Sequence, residues 1–472
     1  MTVYRNVASL ILAVMLLQAA AGILSVSTPL ALDHMGASAL GVGAVAATFS
    51  AGFMLGAWFA PDIVRQIGHI RAYSASAAIY AAGILAMALA FDAVGWSVFR
   101  FFQGAASAIM FTAAESWIAD STPRSKRGGV MGMYQLMLKL AICGGPLLIV
   151  EHAPEDTKPF IWAGLLMVLA VVPLCATRRA QPVLPDREAL SLNSMMKIPP
   201  AALAGAVVAG LCNTGVTSQL PLYAQDLQPG AGAASAATLY IAAMMGGTVT
   251  QWPAGLLSDK LDRRLIVAAL SAIALAACVA LYLTAGKVSF SITVLLSALW
   301  GAGALSFYSV SAAHATDRTE SGQIAQVMSG MLFVWAGGSV IGPILTGAVA
   351  DTQAGQPGVF AAVAFGYFAL LAANLWRLVV RARPGRAQRS PFKWFGQTSV
   401  VQGKAVDEGE PAAKAAEPEA TAPRRRHPKN RSERRPNDQN GLPRPPSCVA
   451  APHAVSASSA HATRHLSRGD FS

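Results

Sequence analysis

Three ionisable side chains stand within long apolar runs of this chain: Arg100, Glu115 and Lys139. Charge in an apolar medium is costly and is kept where it meets a partner, a water-filled cavity or a moving ion. Glu115 is the single acidic group placed well within such a run. It is therefore the candidate carrier of a coupled proton (H+), with a structural ion pair to Lys139 or Arg127 as the competing role. Fifteen residues separate Arg100 from Glu115, about 22 Å along a helix at about 1.5 Å per residue. On the helical wheel the two lie about 60° apart, close enough to face one cavity. Arg100 and Lys139 together exceed Glu115 by one positive charge, which suits an anionic or carboxylate-bearing solute. The competing role for Arg100 is to bond helix-end carbonyls while snorkelling outward.

The elements that must position these groups are membrane spans. Of 472 residues, 54% are hydrophobic and 13% charged, with a mean hydropathy of +0.46. A water-soluble chain carries about 25% charged residues, so most of this surface faces something other than water. Apolar runs of about 20 residues, the length that crosses a bilayer as a helix, recur along the chain. They fall near 7–30, 40–61, 72–91, 95–119, 129–150 and 159–177, then near 199–223, 234–257, 264–285, 288–312, 323–350 and 357–380. The expected fold class is all-α and integral to the membrane, with twelve transmembrane helices in two pseudo-symmetric six-helix halves. The first run carries Ala19-x-Ala21, which resembles a signal cleavage site. Its apolar core is too long for a signal peptide, and the chain is expected to keep it as a helix.

Charge fixes the orientation. One alternating set of loops holds thirteen basic residues, among them Arg65, Arg71, Arg127, Lys260, Arg263, Arg264 and Arg318; the other set holds only Lys158 and Lys287. The positive-inside rule then places both termini in the cytoplasm. Richness in Ala, Gly and Arg suits a GC-rich bacterium and hence the cell (inner) membrane. From Arg381 onward there are seventeen Lys/Arg and eight Asp/Glu, so +9 of the formal +12 belongs to the tail. The basic character therefore describes a tail and not a nucleic-acid-binding core. The expected organisation is an N-terminal six-helix bundle over 1–178, a central cytoplasmic loop over 179–198 and a C-terminal six-helix bundle over 199–380. A disordered basic cytoplasmic tail is expected over 381–472, too polar to bury a core. Membrane lipids are expected partners, and the chain is expected to act as a monomer.

The two halves repeat one signal. After the eighth run stands Gly255-Leu-Leu-Ser258-Asp259-Lys260-Leu-Asp262-Arg263-Arg264, and after the second stands Gly56 with Asp62, Arg65-Gln66-Ile67-Gly68-His69-Ile70-Arg71. Gly144-Gly145-Pro146 and Gly337-Gly338 with Gly342-Pro343 also correspond, and such internal repeats are common in secondary transporters. Gly52-x-x-x-Gly56 and Gly338-x-x-x-Gly342 have the small-residue spacing of close helix contacts. Asp62, Arg65, Arg71, Asp259, Lys260, Arg263 and Arg264 form a candidate cytoplasmic latch. In it, Asp259 is expected to dock on the positive start of the fifth helix, near Gly128-Gly129.

With these loops the chain resembles the major facilitator superfamily, whose most recognisable motif is the Gly-x-x-x-Asp-Lys/Arg-x-Gly-Arg-Arg loop, and Arg100-x-x-x-Gly104-x-x-x-Ala108 on helix 4 looks like its second. Within it the chain is similar to the YcaD-like group. The stretches that match are Glu115-Ser116-Trp117 with Arg127-Gly128, Gln251-Trp252-Pro253-x-Gly255-x-x-Ser258-Asp259, and Ala313-His314-Ala315-x-Asp317. The resemblance implies alternating access, with helices 1, 4, 7 and 10 lining the cavity. On those helices Gln18, Gly22 and Ser25 share a face, as do Asn213 and Thr217, while Trp300, Phe307 and Tyr308 add aromatic surface. The substrate-cavity candidates are accordingly Gln18, Ser25, Arg100, Lys139, Asn213, Thr217, Trp300 and Tyr308. Two features depart from the family pattern. Arg65 stands where the first-half loop usually has Asp, so that contact needs Asp62. Helix 1 has no membrane acid of the drug–proton antiporter kind, Gln18 being its nearest polar group.

The function this reading implies is secondary active transport of a small organic solute. The alternatives are a multidrug or toxic-compound exporter of the same fold, or a non-transporting membrane receptor or scaffold. There is no His-Glu-x-x-His, no Gly-x-Ser-x-Gly and no Gly-rich phosphate loop, so no enzyme, cofactor or ATP-driven pump is expected. No Cys falls in a metal or redox spacing.

Overall fold

The computed structural model describes residues 2–90, 92–176, 198–317, 319, 323–380, 392 and 396–399. The described residues hold no strand. Among the described residues twelve long helices follow one another: α1 (Thr2–His34), α2 (Ala39–Ile67), α3 (His69–Leu89), α4 (Ala93–Asp120), α5 (Arg127–Leu147), α6 (Lys158–Cys175), α7 (Pro200–Leu227), α8 (Ala233–Lys260), α9 (Arg263–Thr284), α10 (Phe290–Thr316), α11 (Ile324–Ala350) and α12 (Gly355–Val380). Eleven of them are long and apolar enough to cross a membrane. The remaining one is α4, of 28 residues, which carries Arg100, Gln103 and Glu115. Because successive helices reverse direction, the start of α1 and the end of α12 share one face of the bundle, called here the terminal face.

Helix ends are set by local chemistry. Ser38 caps α2 by accepting from the Gly41 N–H, and Gly68, at φ 85°, ends it. Asp92 caps α4 by accepting from the Gly95 N–H at 2.7 Å, and Asp262 caps α9 by accepting from the Arg264 N–H at 3.0 Å. Three helices are irregular inside, the first being α6, which is interrupted at Ala170. A π turn spans Ala209–Asn213 in α7, and α10 loses its helical pattern between Ala304 and Phe307. Irregular backbone at membrane depth occurs where it is buried or lines a cavity.

The packing repeats between the first six helices and the last six. α2 packs on α4 and α3 on α6 and α4; α8 packs on α10 and α9 on α12 and α10. Glycines allow these contacts. A Cβ on Gly52 would lie 1.9 Å from the Phe101 carbonyl oxygen, and one on Gly104 would lie 2.0 Å from that of Phe49. In the other set, Gly246 and Gly301 would meet the carbonyls of Ala298 and Ala243, each at 1.9 Å. Gly338 and Gly342 approach Gly210 and Leu211, so the second small-residue pair joins α11 to α7. Outward surfaces remain apolar, as at Trp252, Phe365 and Trp376.

The expected loop over 179–198 lies outside the described residues except for Ile198, and the expected tail over 381–472 lies outside them except for Phe392 and Gly396–Ser399. Those five residues pack on the helices instead of standing in solvent.

Candidate functional site

A cavity runs through the middle of the bundle in two connected parts of about 280 and 290 Å³. Ser25, Phe49, Ser50, Arg100, Lys139, Leu305, Trp335 and Gln397 border both parts. Gln18, Tyr80, Gln135, Gln251, Tyr308 and Ser309 line the part toward the terminal face, and Asn213 and Thr217 line the other. The described lining contains two basic side chains and no acidic one.

Seven of the eight substrate-cavity candidates border this space, but they do not play equal parts. Arg100 donates from Nη1 to the side-chain amide oxygen Oε1 of Gln103 at 3.1 Å, and its guanidinium stands 4.4 Å from the Phe49 ring centroid. Its Nε is buried without a hydrogen-bond partner among the described residues. The Tyr80 hydroxyl also lies beside it. Arg100 thus points into the cavity and does not snorkel outward. Lys139, one helix away on α5, has neither an ion-pair nor a hydrogen-bond partner among the described residues. The expected alternative of a Glu115–Lys139 pair is therefore not formed.

Asn213 borders the cavity but its amide is already engaged. It donates to the Ala304 carbonyl at 2.6 Å and accepts from the Tyr367 hydroxyl at 2.9 Å. Trp300 is a correction: it is fully buried, does not border the cavity, and donates from Nε1 to the same Tyr367 hydroxyl at 3.2 Å. The chain Trp300–Tyr367–Asn213–Ala304 ties α10, α12 and α7 together at the irregular turns of α7 and α10. Ser25 and Thr217 bond their own helix carbonyls, at Ala21 and Thr214. Gly22, on the face of Gln18 and Ser25, serves packing, since a Cβ there would meet the Ile142 carbonyl at 2.2 Å.

Sequence reasoning missed Gln251, Ser309, Gln135, Tyr80 and Trp335 as lining residues. Gln251 was legible as part of the Gln251-Trp252-Pro253 stretch, and it donates to the Ser309 hydroxyl. Trp252, its neighbour, faces outward with 68% of its surface exposed.

Glu115, near the terminal-face end of α4, is fully buried and does not itself line the cavity; it meets the lining through Thr398. It accepts from the Tyr134 hydroxyl at 3.0 Å and from the hydroxyls of Thr398 and Ser399. The next two residues anchor α4 differently: Ser116 meets His69 Nε2 at 3.0 Å, and Trp117 makes an edge contact with the His69 ring.

The candidate latch residues pair separately, Arg65 within its own helix and Arg263, Arg264 and Asp259 with other elements. Arg65 bonds Asp62 one turn earlier at 3.1 Å, and Arg71 and Lys260 are exposed. Arg263, at 2% side-chain exposure, reaches Asp317 at the end of α10 over 2.9 Å. Arg264 grips Asp262 at 2.7 Å and donates to the Arg377 carbonyl at 2.6 Å. Burial by itself would raise the Asp262 carboxyl; hydrogen bonds and charge from Arg264, with His314 nearby, outweigh it and hold the carboxyl below its usual value. The expected docking of Asp259 on the start of α5 is not formed. Space beside Gly128 is empty, and Asp259 accepts instead from the Phe392 N–H at 2.7 Å.

The face opposite the terminal one is closed by contacts between the first six helices and the last six. Asp351 accepts from the N–H groups of Ala39 and Leu40 at 2.8 and 3.0 Å. Gln219 donates to the Ala39 carbonyl and Gln225 to the Asp33 carboxylate, each at 3.0 Å. The Ala233 N–H meets the His152 carbonyl at 3.2 Å.

This arrangement, a central polar cavity among twelve helices closed toward one face, is that of a carrier, and sequence comparison decides the family. The profile described as Major Facilitator Superfamily matches residues 10–303 and 229–427. The chain belongs to that superfamily. Among its relatives is an uncharacterised MFS-type transporter, YcaD, of Escherichia fergusonii, 25% identical over 349 residues that span 73% of this chain and 89% of the relative. YcaD of Escherichia coli O7:K1 is 26% identical over 347 residues, with the same coverage. Among solved structures, the nucleoside transporter NupG superposes with a TM-score of 0.65 at 14% identity, covering 79% of this chain and 98% of its own. The Escherichia coli fucose:proton symporter FucP gives 0.54 at 17% identity, covering 80% and 99%. This YcaD-like superfamily member is thus a multi-pass secondary transporter and not an enzyme.

Proposed function

We propose that the chain carries a small organic anion across the cell inner membrane by alternating access, acting as a monomer. The observation that supports this most is the charge of the cavity: Arg100 and Lys139 border both its parts, and no carboxylate joins them in the described lining. Lys139 has no partner among the described residues, and the Arg100 Nε has no hydrogen bond, so both hold donors ready for an anion. Phe49, Phe53 and Trp335 supply apolar walls for the rest of such a solute. The basic loops on the terminal face support a cytoplasmic placing of that face. The two six-helix units, 1–178 and 199–380, are the bodies that would rock about the cavity. The resting form would then face the cytoplasm, because the closure lies on the other side.

A thermal-shift screen of the purified protein against organic acids, sugars, nucleosides and antimicrobial cations tests the reading. A ligand that binds only the folded state adds about 2.7 kcal/mol at a hundred times its Kd. Acids are expected as the hits. Arg100→Ala and Lys139→Ala are each expected to weaken them about ten- to a hundredfold, since a hydrogen bond to a charged group is worth about 1.5–3 kcal/mol. Hits confined to apolar cations, unaffected by either substitution, would sink the anion reading in favour of an exporter.

Glu115 is the proposed proton carrier, supported by its full burial and by its hydrogen bond from Thr398, which borders the cavity. Glu115→Gln keeps a partner for the Tyr134 hydroxyl but cannot ionise. In proteoliposomes it is expected to lose accumulation driven by a pH gradient while retaining exchange of labelled solute. Equal accumulation by both proteins would remove Glu115 from the coupling step.

A further inference from the structure

The carrier reading makes no use of the residues beyond α12 that sit on the helices. Three separate anchors hold them. The Phe392 N–H donates to Asp259 Oδ1, and its ring lies where a Cβ on Gly255 would stand, 2.3 Å from Phe392 Cδ1. Gly396 lies against Gln135, whose amide a Cβ at that position would meet at 2.4 Å. Thr398 and Ser399 donate their hydroxyls to the two oxygens of Glu115. Gln397, between these anchors, borders both parts of the cavity.

We propose that the terminal-face mouth of the cavity is a peptide-binding seat, and that its occupant is the chain's own C-terminal segment around Phe392 and Gly396–Ser399. The chemistry of the two surfaces is complementary. The helices offer two carboxylates, Asp259 and Glu115; the segment offers a backbone N–H and two hydroxyls. Steric fit adds register, because Gly255 leaves room for the Phe392 ring and Gly396 lets the segment lie against the Gln135 amide. The anchors belong to α8 and to α4 and α5, so the seated segment bridges the first six helices and the last six. It also stands in the opening through which a solute would pass to the terminal face. Segment and solute therefore compete for one passage, and the seated form is a self-occluded carrier. The latch expected at Asp259 is replaced by this contact: the carboxylate that would close the mouth against α5 closes it against the tail.

The test uses the full chain and needs no solute, so it succeeds or fails independently of the anion reading. In a Cys448→Ser background, Gln135→Cys and Gly396→Cys are combined, with a protease site placed between residues 381 and 390. After mild oxidation and cleavage, most of the tail fragment is expected to stay with the helices and to leave on reduction. Release as complete as in the Gly396→Cys single variant would overturn the proposal. A second measurement changes only the segment. Thr398→Glu with Ser399→Glu sets two carboxylates against Glu115 and is expected to unseat it, speeding maleimide labelling of Gln135→Cys at least tenfold. Unchanged labelling would also overturn the seat.

Discussion

An Asp317→Ala chain is expected to lose about 3–5 kcal/mol of stability, the cost of leaving one member of a buried ion pair without its counter-charge. Arg263 and Asp317 are each only 2% exposed in their side chains and meet at 2.9 Å. With the carboxylate removed, the Arg263 guanidinium stays where water cannot solvate it. The Asp259 oxygen, 3.8 Å away and on a carboxylate 33% exposed, is a weak substitute. Pairing Asp317→Leu with Arg263→Met is expected to recover most of the loss, because a fitted apolar pair avoids the desolvation of two ions. Denaturant unfolding in detergent, read as a double-mutant cycle, measures this. The control is Asp62→Ala, which breaks the Arg65 pair at side-chain exposures of 34% and 31%. Exposed pairs contribute about 0–1 kcal/mol. A loss at Asp317 no larger than the control's would mean that the end of α10 gains little from its ion pair.

Gly104→Val is expected to be as damaging for a different reason. Its Cβ would fall 2.0 Å from the Phe49 carbonyl oxygen and 2.8 Å from the Phe53 nitrogen, both backbone atoms of α2. No side-chain rotation relieves such a clash, so α2 and α4 must separate. Overpacking of interiors typically costs about 1–3 kcal/mol and occasionally more, and a helix pair forced apart belongs at the upper end or beyond. Gly301→Val should behave alike in the second set, where the Ala243 carbonyl lies 1.9 Å from the Cβ position. Gly132→Ala has nothing within 4 Å and is expected to stabilise α5 by about 0.5–1 kcal/mol through helix propensity. Equal behaviour of Gly104→Val and Gly132→Ala in a thermal-stability assay would refute the close approach.

The spans were legible because length and apolarity decide them locally. So was the placing of Arg100, Lys139, Gln18 and Ser25 on the cavity, since polar groups inside apolar runs have few other places to go. What the sequence hid is the choice of partner. Trp300 and Tyr308 are both aromatic residues of α10, yet Trp300 finds the Tyr367 hydroxyl 67 residues away and leaves the cavity. Asp259 reads as a latch on its own loop pattern, and its acceptor role toward Phe392 spans 133 residues. Composition read the tail as solvated throughout, because a few anchoring hydroxyls and glycines do not change an average dominated by Arg, Pro and Ala.

The unbalanced charge of the cavity also has an electrical side. On the alternating-access reading, with the opposite face closed, the basic side chains of Arg100 and Lys139 would sit near the potential of the terminal side, and a switch of access would move the charge they carry through the membrane field. Each elementary charge so moved exchanges about 2.3 kcal/mol per 100 mV, so an empty cavity bearing two would tilt by up to about 4.6 kcal/mol. A bound dianion would cancel that charge. On the proposed reading, an interior-negative voltage would hold the unloaded protein facing the cytoplasm, and loading it with an anion would free it to turn.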